Sequence, residues 1–234
     1  LMFKYKDKLN TPKILTLFVI TFAIPLFLVY KQPDLSTSIM IVILICAIIF
    51  IGGLSYKIIG IALAIIVPLV VIFLLLVVQP DQGLINLYQQ KRILAWLEPE
   101  KYASDEAYQQ NNSVMAIGSG QLSGKGLNNN SFTSVKNGNF LIESDTDFIF
   151  AIIGEELGFV GATVVIALFI FFIFRGYKIA MTCKDFYGSM IAAGITTVFA
   201  FQFLVNIAVV TCSMPVTGMP LPFFSYGGTS LFIN

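Results

Sequence analysis

The stretch that decides the fold is residues 58–78, IIGIALAIIVPLVVIFLLLVV, in which 21 consecutive residues carry no charged side chain. A helix needs about 20 predominantly apolar residues to cross the hydrocarbon core of a bilayer. Similar apolar runs predict further spans at residues 14–30, 35–53, 148–174 and 189–212, with another beginning in residues 221–234. The sequence therefore predicts an all-α, polytopic transmembrane helix bundle.

The composition supports this class, because the 234 residues are 57% hydrophobic and 12% charged, with a mean hydropathy of +0.85. Ordinary globular domains are about 45–50% apolar and about one quarter charged. No basic face accompanies the formal net charge of +1, so no nucleic-acid partner is predicted. Histidine is absent, and Cys46, Cys183 and Cys212 have neither disulfide nor metal-ligand spacing, so no metal site built from cysteine or histidine is predicted.

Both ends of the chain look like cuts within a longer sequence. The chain opens Leu1-Met2-Phe3-Lys4 and stops at Asn234, inside an apolar stretch that has barely started. We therefore expect an internal piece of a longer protein.

A polar stretch of 69 residues, 79–147, separates the third and fourth predicted spans. Loops of this length are uncommon unless they are functional, so we expect a cap over the bundle. Orientation follows from the basic residues of the short connections, which favour the cytoplasmic side. One side keeps only Lys31 in a short connection, and the other collects Lys4, Lys6, Lys8, Lys13, Lys57, Arg175, Lys178 and Lys184. The large loop is therefore predicted to be extracytoplasmic.

One carboxylate, Asp147, lies where this polar loop enters the apolar run beginning at Phe148. With Asp145 or Thr146 as the N-cap, Asp147 falls in the first turn of the helix. The helix dipole favours the ionised carboxylate there, whereas dry surroundings favour the neutral acid. An acid held between these two effects can act as a general base. A purely electrostatic helix cap is the simpler interpretation, and position alone leaves both open.

Glu155 and Glu156 follow inside the same span, with Glu155 about 12 Å deeper than Asp147 along an ideal helix. Acids at this depth indicate either a functional site or an ion pair with a basic group from another helix. The sequence leaves these alternatives open. Gly154 and Gly158 are interpreted as residues that allow close helix packing.

Two basic side chains of the large loop are candidate substrate contacts. Residues 88–97 predict an amphipathic helix at the membrane interface, from which Arg92 could hold a phosphate with two hydrogen bonds; simple anchoring is the alternative. The glycine-rich run 118–126 does not fit a phosphate loop, because Ser119 and Gly126 stand where that motif requires other residues. We interpret it as a flexible outer loop that presents Lys125.

Residues 215–230 contain three prolines and three glycines at the entrance of the last predicted span. Non-helical backbone at membrane depth is tolerated where it is buried in protein or lines a cavity. Gln202 and Asn206, four residues apart in the fifth span, are interpreted as polar links between helices.

Several strings of this sequence resemble the SEDS (shape, elongation, division and sporulation) family in identity and order. They are Gln32-Pro33-Asp34-Leu35, Ala116-Ile117-Gly118-Ser119-Gly120, Thr146-Asp147-Phe148-Ile149-Phe150, Gly154-Glu155-Glu156-Leu157-Gly158, and Pro220-Leu221-Pro222-Phe223 with Ser225-Tyr226-Gly227-Gly228. The resemblance is strongest to the RodA-like elongation branch, although the FtsW-like division branch shares most strings. One departure is Asp145, which stands where the family often has histidine.

The resemblance implies a ten-span glycosyltransferase of the bacterial inner membrane, which polymerises lipid II into peptidoglycan beside a class B penicillin-binding protein. Residues 1–234 would then be a partial SEDS membrane domain that lacks the first four spans and most of the tenth. The essential aspartate of the family falls on Asp147.

On this basis Asp147 is expected to deprotonate the acceptor hydroxyl, which attacks the anomeric carbon of the donor with inversion. The pyrophosphate leaving group needs charge stabilisation, for which Arg92 and Lys125 are candidates, with a divalent Mg or Mn ion as a further candidate. Supporting or substrate contacts are expected from Glu143, Glu155, Ser225 and Tyr226. The main alternative is a lipid II flippase without bond chemistry, and a non-enzymatic scaffold is a third.

Overall fold

The computed structural model describes residues 10–31, 35–79, 85–102, 104, 106–127, 134, 138, 140–141 and 144–227. Within these ranges the chain forms helices and no strand, which confirms the all-α class. The helices are α1 Pro12–Tyr30, α2 Leu35–Ile51, α3 Tyr56–Val77, α4 Leu87–Leu97, α5 Glu106–Ser119, α6 Ile149–Thr182 and α7 Phe186–Val210.

Four of these helices, α1, α3, α6 and α7, are long and apolar enough to cross a membrane, and α2 is a shorter apolar helix. Helix α6 continues to Thr182, eight residues past the predicted end of its span, because Arg175 and Lys178 extend the helix as exposed side chains. Residues 221–227, where another span was expected to begin, are not helical. The remainder of that predicted span lies outside the described residues.

The large loop is structured rather than open, since helices α4 and α5 lie within it. Helix α4 coincides with the predicted amphipathic helix and buries Gln90, Ile93 and Ala95. These side chains are covered by other parts of the protein, so the loop is a folded part of the molecule.

The described residues divide into two compact units, to both of which α6 and α7 contribute. The first unit comprises residues 1–86 and 173–198. Its core is Phe18 of α1, which packs against Ile48 of α2 and against Phe186 and Met190 of α7. Asn10 joins the start of α1 to the α2–α3 turn, because its side chain accepts a hydrogen bond from the Ser55 amide at 2.8 Å.

The second unit comprises residues 87–172 and 199–234. Aromatic rings bind its helices to the segment that follows α7. Phe169 of α6 stacks on Phe203 of α7 at 4.4 Å between ring centroids, and Phe223 stacks on Phe199 at 5.1 Å. These contacts fix the non-helical segment around Phe223 against both helices.

The second unit also contains a break in α6, at Gly158, where φ is 67° and ψ is −167°. The loop at residues 120–126 supplies the hydrogen bonds that the helix loses there. Its Lys125 and Gly126 amides donate to the carbonyls of Glu155 and Glu156 at 2.9 and 3.0 Å. On the other side of the break, the amides of residues 159 and 160 donate to the carbonyls of residues 121 and 122. The expectation that Gly158 only packs helices together is therefore incomplete.

Glycines let the loop approach the helix backbone this closely. A Cβ atom on Gly120 would overlap the carbonyl oxygen of Gly154, and one on Gly124 would overlap the carbonyl oxygen of Glu156. The sequence-based interpretation of residues 118–126 as a flexible outer loop is wrong, because the run is fixed along the backbone of a broken helix.

Gly120→Ala should lower the free energy of unfolding by about 1–3 kcal/mol, because a methyl group would have to displace backbone rather than a flexible side chain. Thermal unfolding of the purified protein in detergent measures the change.

Gly118→Ala is the matched control, since nothing lies within 4 Å of its added Cβ. Gly118 lies at the end of α5, where alanine is preferred over glycine by up to about 1 kcal/mol. A Gly120→Ala protein as stable as Gly118→Ala would show that the loop does not lie against α6 in this way.

Candidate functional site

Asp147 lies half-buried in the turn at residues 144–148, directly before α6. Asn206 of α7 forms a hydrogen bond to this turn. Its amide nitrogen donates to the carbonyl oxygens of Asp147 and Met219, both at 2.8 Å, and the residue is 1% exposed. Asn206 is a polar link, but it joins α7 to two non-helical segments, so the expectation that it links helices to each other is wrong.

The segment after α7 also forms hydrogen bonds to this turn. The Ser225 hydroxyl donates to the carbonyl of Thr146 at 2.6 Å and accepts the amide hydrogen of Leu221 at 2.6 Å. The amide of Tyr226 donates to the carbonyl of Asp145 at 2.7 Å. The structure thus brings Ser225 and Tyr226 to the Asp147 turn, Ser225 by a buried hydroxyl and Tyr226 by its backbone.

The carboxylate of Asp147 extends toward Gly218, whose φ is 75°. A Cβ atom on Gly218 would lie 3.6 Å from Asp147 Oδ2. A glycine here meets both the left-handed backbone conformation and the close approach of the carboxylate. Asp147 is only half-buried and Tyr226 is 76% exposed, so this site lies at the edge of the unit rather than in its core.

Arg92 of α4 contacts the segment that carries Gly218. Its guanidinium donates to the carbonyl of Val216 at 3.3 Å, hydrogen-bonds the hydroxyl of Tyr88, and lies over the Tyr88 ring at 4.4 Å from the centroid. One turn later, Trp96 Nε1 donates to the carbonyl of Cys212 at 3.0 Å. Helix α4 therefore positions the chain that leads from α7 to the Asp147 site.

Helix α5 donates hydrogen bonds to carbonyls at the end of α7 and just after it, where the helix itself offers no further donors. Gln110 Nε2 donates to the carbonyls of Val209 and Met214 at 3.1 and 2.7 Å, and Ser113 Oγ donates to that of Val210 at 2.7 Å. Sequence analysis missed both residues. The available signal was their spacing of three, which places two polar side chains on one helix face.

Lys125 and Glu155 form a buried ion pair beneath the glycine loop. Lys125 Nζ lies 2.7 Å from Glu155 Oε1, with the two side chains 20% and 1% exposed. Ser134 Oγ lies 3.5 Å from the other carboxylate oxygen. Of the two interpretations left open for Glu155, an ion pair is what the structure contains, with its lysine coming from the loop rather than from another helix.

Two predictions concern the substrate contacts and the metal ion. The predicted contact Glu143 lies outside the described residues. Among the residues that the structure describes, no group of three or more Cys, Asp or Glu side chains could hold a metal ion. An assisting Mg or Mn ion therefore stays a prediction.

Comparison with known proteins relates this arrangement to a family. A family profile that covers FtsW, RodA and SpoVE, described as "Cell cycle protein", matches residues 2–234. The peptidoglycan glycosyltransferase MrdB of Escherichia coli K12 is 37% identical over 212 residues, which are 89% of this chain and 54% of MrdB. The chain thus spans about half the length of the curated relatives it matches.

Two solved structures share the fold. One, described as "Structural coordination of polymerization and crosslinking by a peptidoglycan synthase complex", matches with a TM-score of 0.71 and 25% identity over 95% of this chain and 58% of that chain. The other is an aspartate-to-alanine variant of the rod shape determining protein RodA from Thermus thermophilus. It matches with a TM-score of 0.57 and 21% identity over 98% of this chain and 57% of that chain. The resemblance seen in the sequence is confirmed: the chain belongs to the FtsW/RodA/SpoVE family.

Proposed function

We propose that the full-length protein is a peptidoglycan glycosyltransferase that polymerises lipid II into glycan strands, with Asp147 as general base. The observation that carries this proposal is the fixed turn at Asp147, held by Asn206 and Ser225 at the edge of the unit. Precise placement of the reacting group contributes much of the rate of a transfer between two bound substrates. The name of the E. coli relative supports the same reaction class.

The transfer is written as one displacement. The Asp147 carboxylate takes the proton of the acceptor sugar hydroxyl, whose oxygen forms a bond to the anomeric carbon of the donor. The bond between that carbon and the phosphate oxygen breaks on the opposite face, so the configuration inverts. The leaving group departs as undecaprenyl pyrophosphate, already an anion, and requires positive charge rather than an acid.

Arg92 is the stronger candidate for that positive charge. A guanidinium carries five N–H donors, and the Val216 and Tyr88 contacts use only some of them. The charge of Lys125 is already balanced by buried Glu155. We therefore assign Lys125 and Glu155 a supporting role. Arg92, together with a Mg or Mn ion, is assigned to stabilise the negative charge of the pyrophosphate.

The location and partner follow from the same proposal. We place the protein in the bacterial inner membrane as a multi-pass protein, with loop 79–147 outside the cytoplasm, where lipid II is consumed. A class B penicillin-binding protein is the proposed partner. This is supported by the similar structure described as a complex that coordinates polymerization and crosslinking.

A flippase would need a polar path across the bilayer. Glu155 and Glu156 were the acids that suited such a path, but Glu155 is 1% exposed and paired with Lys125. The break at Gly158 is likewise filled by the backbone of the glycine loop. Both observations favour bond chemistry over transport.

Asp147→Asn should lower polymerisation of labelled lipid II by at least about a hundredfold, since a general base contributes roughly 10²–10⁴-fold. The assay uses the full-length protein reconstituted with its partner. Asp145→Asn is the matched control, because Asp145 is exposed and contributes its backbone carbonyl to the turn. It should retain most activity.

Equal glycan yield from Asp147→Asn and the parent protein would end the proposed mechanism. Movement of lipid II across vesicle membranes, without polymer from any variant, would support the carrier instead.

Lys125→Met should destabilise the protein by about 3–5 kcal/mol, because it leaves Glu155 as an uncompensated buried charge. Adding Glu155→Gln removes that charge, so the double variant should regain most of the lost stability and most of the polymerisation activity. Thermal unfolding and the lipid II assay measure the two effects separately.

Lys101→Met is the control for loss of a lysine, since Lys101 pairs with Glu98 on the surface and should leave the melting temperature unchanged. A stable but inactive double variant would contradict the supporting role and assign one of these two side chains to the substrate.

A further inference from the structure

The first unit contains a pocket of about 690 Å³ between the end of α2 and the turn from α6 to α7. We call it the α2–α6 pocket, and its lining residues are Ala47, Phe50, Ile51, Tyr177, Ala180, Met181, Cys183, Lys184, Phe186 and Ser189. It lies far along the chain from Asp147, and the proposed glycosyl transfer makes no use of it.

Most of the wall is apolar, and its hydroxyl groups are already engaged. Ser189 Oγ donates to the carbonyl of Ala180 at 2.6 Å, and the hydroxyls of Tyr177 and Thr197 are hydrogen-bonded at 3.0 Å. Lys184 is the charged residue of the lining, and it forms no ion pair with any part of the chain that the structure describes. A long apolar wall with one cation at its edge suits an amphiphile with a negative head.

The exposed charges of the first unit are mostly basic. Besides Lys184 they include Lys13 and Lys57, near the starts of α1 and α3, and Arg175 and Lys178 in α6. The acid Asp185, next to Lys184 in the chain, accepts a hydrogen bond from the Gly188 amide at 2.8 Å and so caps the first turn of α7. The described part of this unit therefore carries a net positive charge, which attracts anions.

We propose that the α2–α6 pocket binds an anionic phospholipid of the adjacent leaflet. The phosphate pairs with the Lys184 ammonium, and an acyl chain lies along Phe50, Ile51 and Phe186. Basic pockets between transmembrane helices on the cytoplasmic side are sites of this kind for anionic headgroups. The assignment is independent of the proposed enzymatic activity.

The apolar wall distinguishes a phospholipid from free phosphate, which would leave that wall empty. The position favours a lipid over a soluble partner, because the pocket lies at the ends of two apolar helices, α2 and α6. A lipid supplies both parts of the complementarity at once.

Cys183 provides a direct probe, since it lines the pocket and its thiol is exposed. It lies in the turn between α6 and α7, where its sulfur would be 3.1 Å from a Cβ atom added to Gly188. The full-length protein, with every other cysteine replaced by alanine, is reconstituted in nanodiscs of phosphatidylcholine with or without phosphatidylglycerol. The measured quantity is the ratio of maleimide labelling rates in the two lipids. We expect slower labelling when phosphatidylglycerol is present.

Lys184→Gln should raise the phosphatidylglycerol concentration needed for half of this protection about fivefold, as expected for one lysine near a membrane surface. Lys57→Gln is the matched control, because Lys57 is an exposed lysine of the same side that does not line the pocket. It should leave the protection unchanged.

Three results would overturn the proposal. Labelling rates that are equal in both lipids would show that the pocket is not occupied by the anionic lipid. An equal effect of Lys57→Gln would assign the protection to diffuse surface charge. Protection by inorganic phosphate in phosphatidylcholine nanodiscs would assign the site to a soluble anion.

Discussion

Backbone hydrogen bonding in a membrane is the constraint on which the rest of the structure depends. Each unsatisfied peptide group in hydrocarbon costs several kcal/mol, so a spanning helix can break only where other protein replaces its bonds. The break at Gly158 meets this condition because the loop at residues 120–126 donates to and accepts from the helix on both sides. The buried Lys125–Glu155 pair lies under the same loop, so one packing arrangement satisfies both the peptide groups and the charge.

The Asp147 site follows the same logic at the start of the apolar helix α6. Its turn and the segment after α7 are both non-helical. The Ser225 hydroxyl and the Tyr226 amide of that segment donate to carbonyls of the turn, and Asn206 of α7 donates to one carbonyl of each. Helices α4 and α5 then complete the end of α7. A carboxylate mounted on such a connected backbone loses little entropy when substrate binds, which suits the precise positioning that transfer chemistry requires.

The two units carry different charges and different chemistry. The second unit contains Asp147, the Lys125–Glu155 ion pair and the folded loop. These groups are joined mainly by hydrogen bonds within the unit. The first unit presents apolar helices and exposed basic ends to its surroundings, with Lys184 at the edge of a pocket. The proposed roles differ accordingly, since the second unit acts on the substrate and the first interacts with the bilayer.

The sequence by itself determined the helical membrane class and the family, and it predicted the role proposed for Asp147. Apolar length and local motifs are read directly from adjacent residues, and each reports on its own stretch of chain. The sequence could not reveal that the glycine run inserts against α6, nor that Gln110 and Ser113 cap α7. Those contacts join residues 30 to 104 positions apart, as in the Lys125–Glu155 and Gln110–Met214 bonds. Only the tertiary structure decided them, because a buried polar group specifies that it needs a partner but not which distant residue provides it.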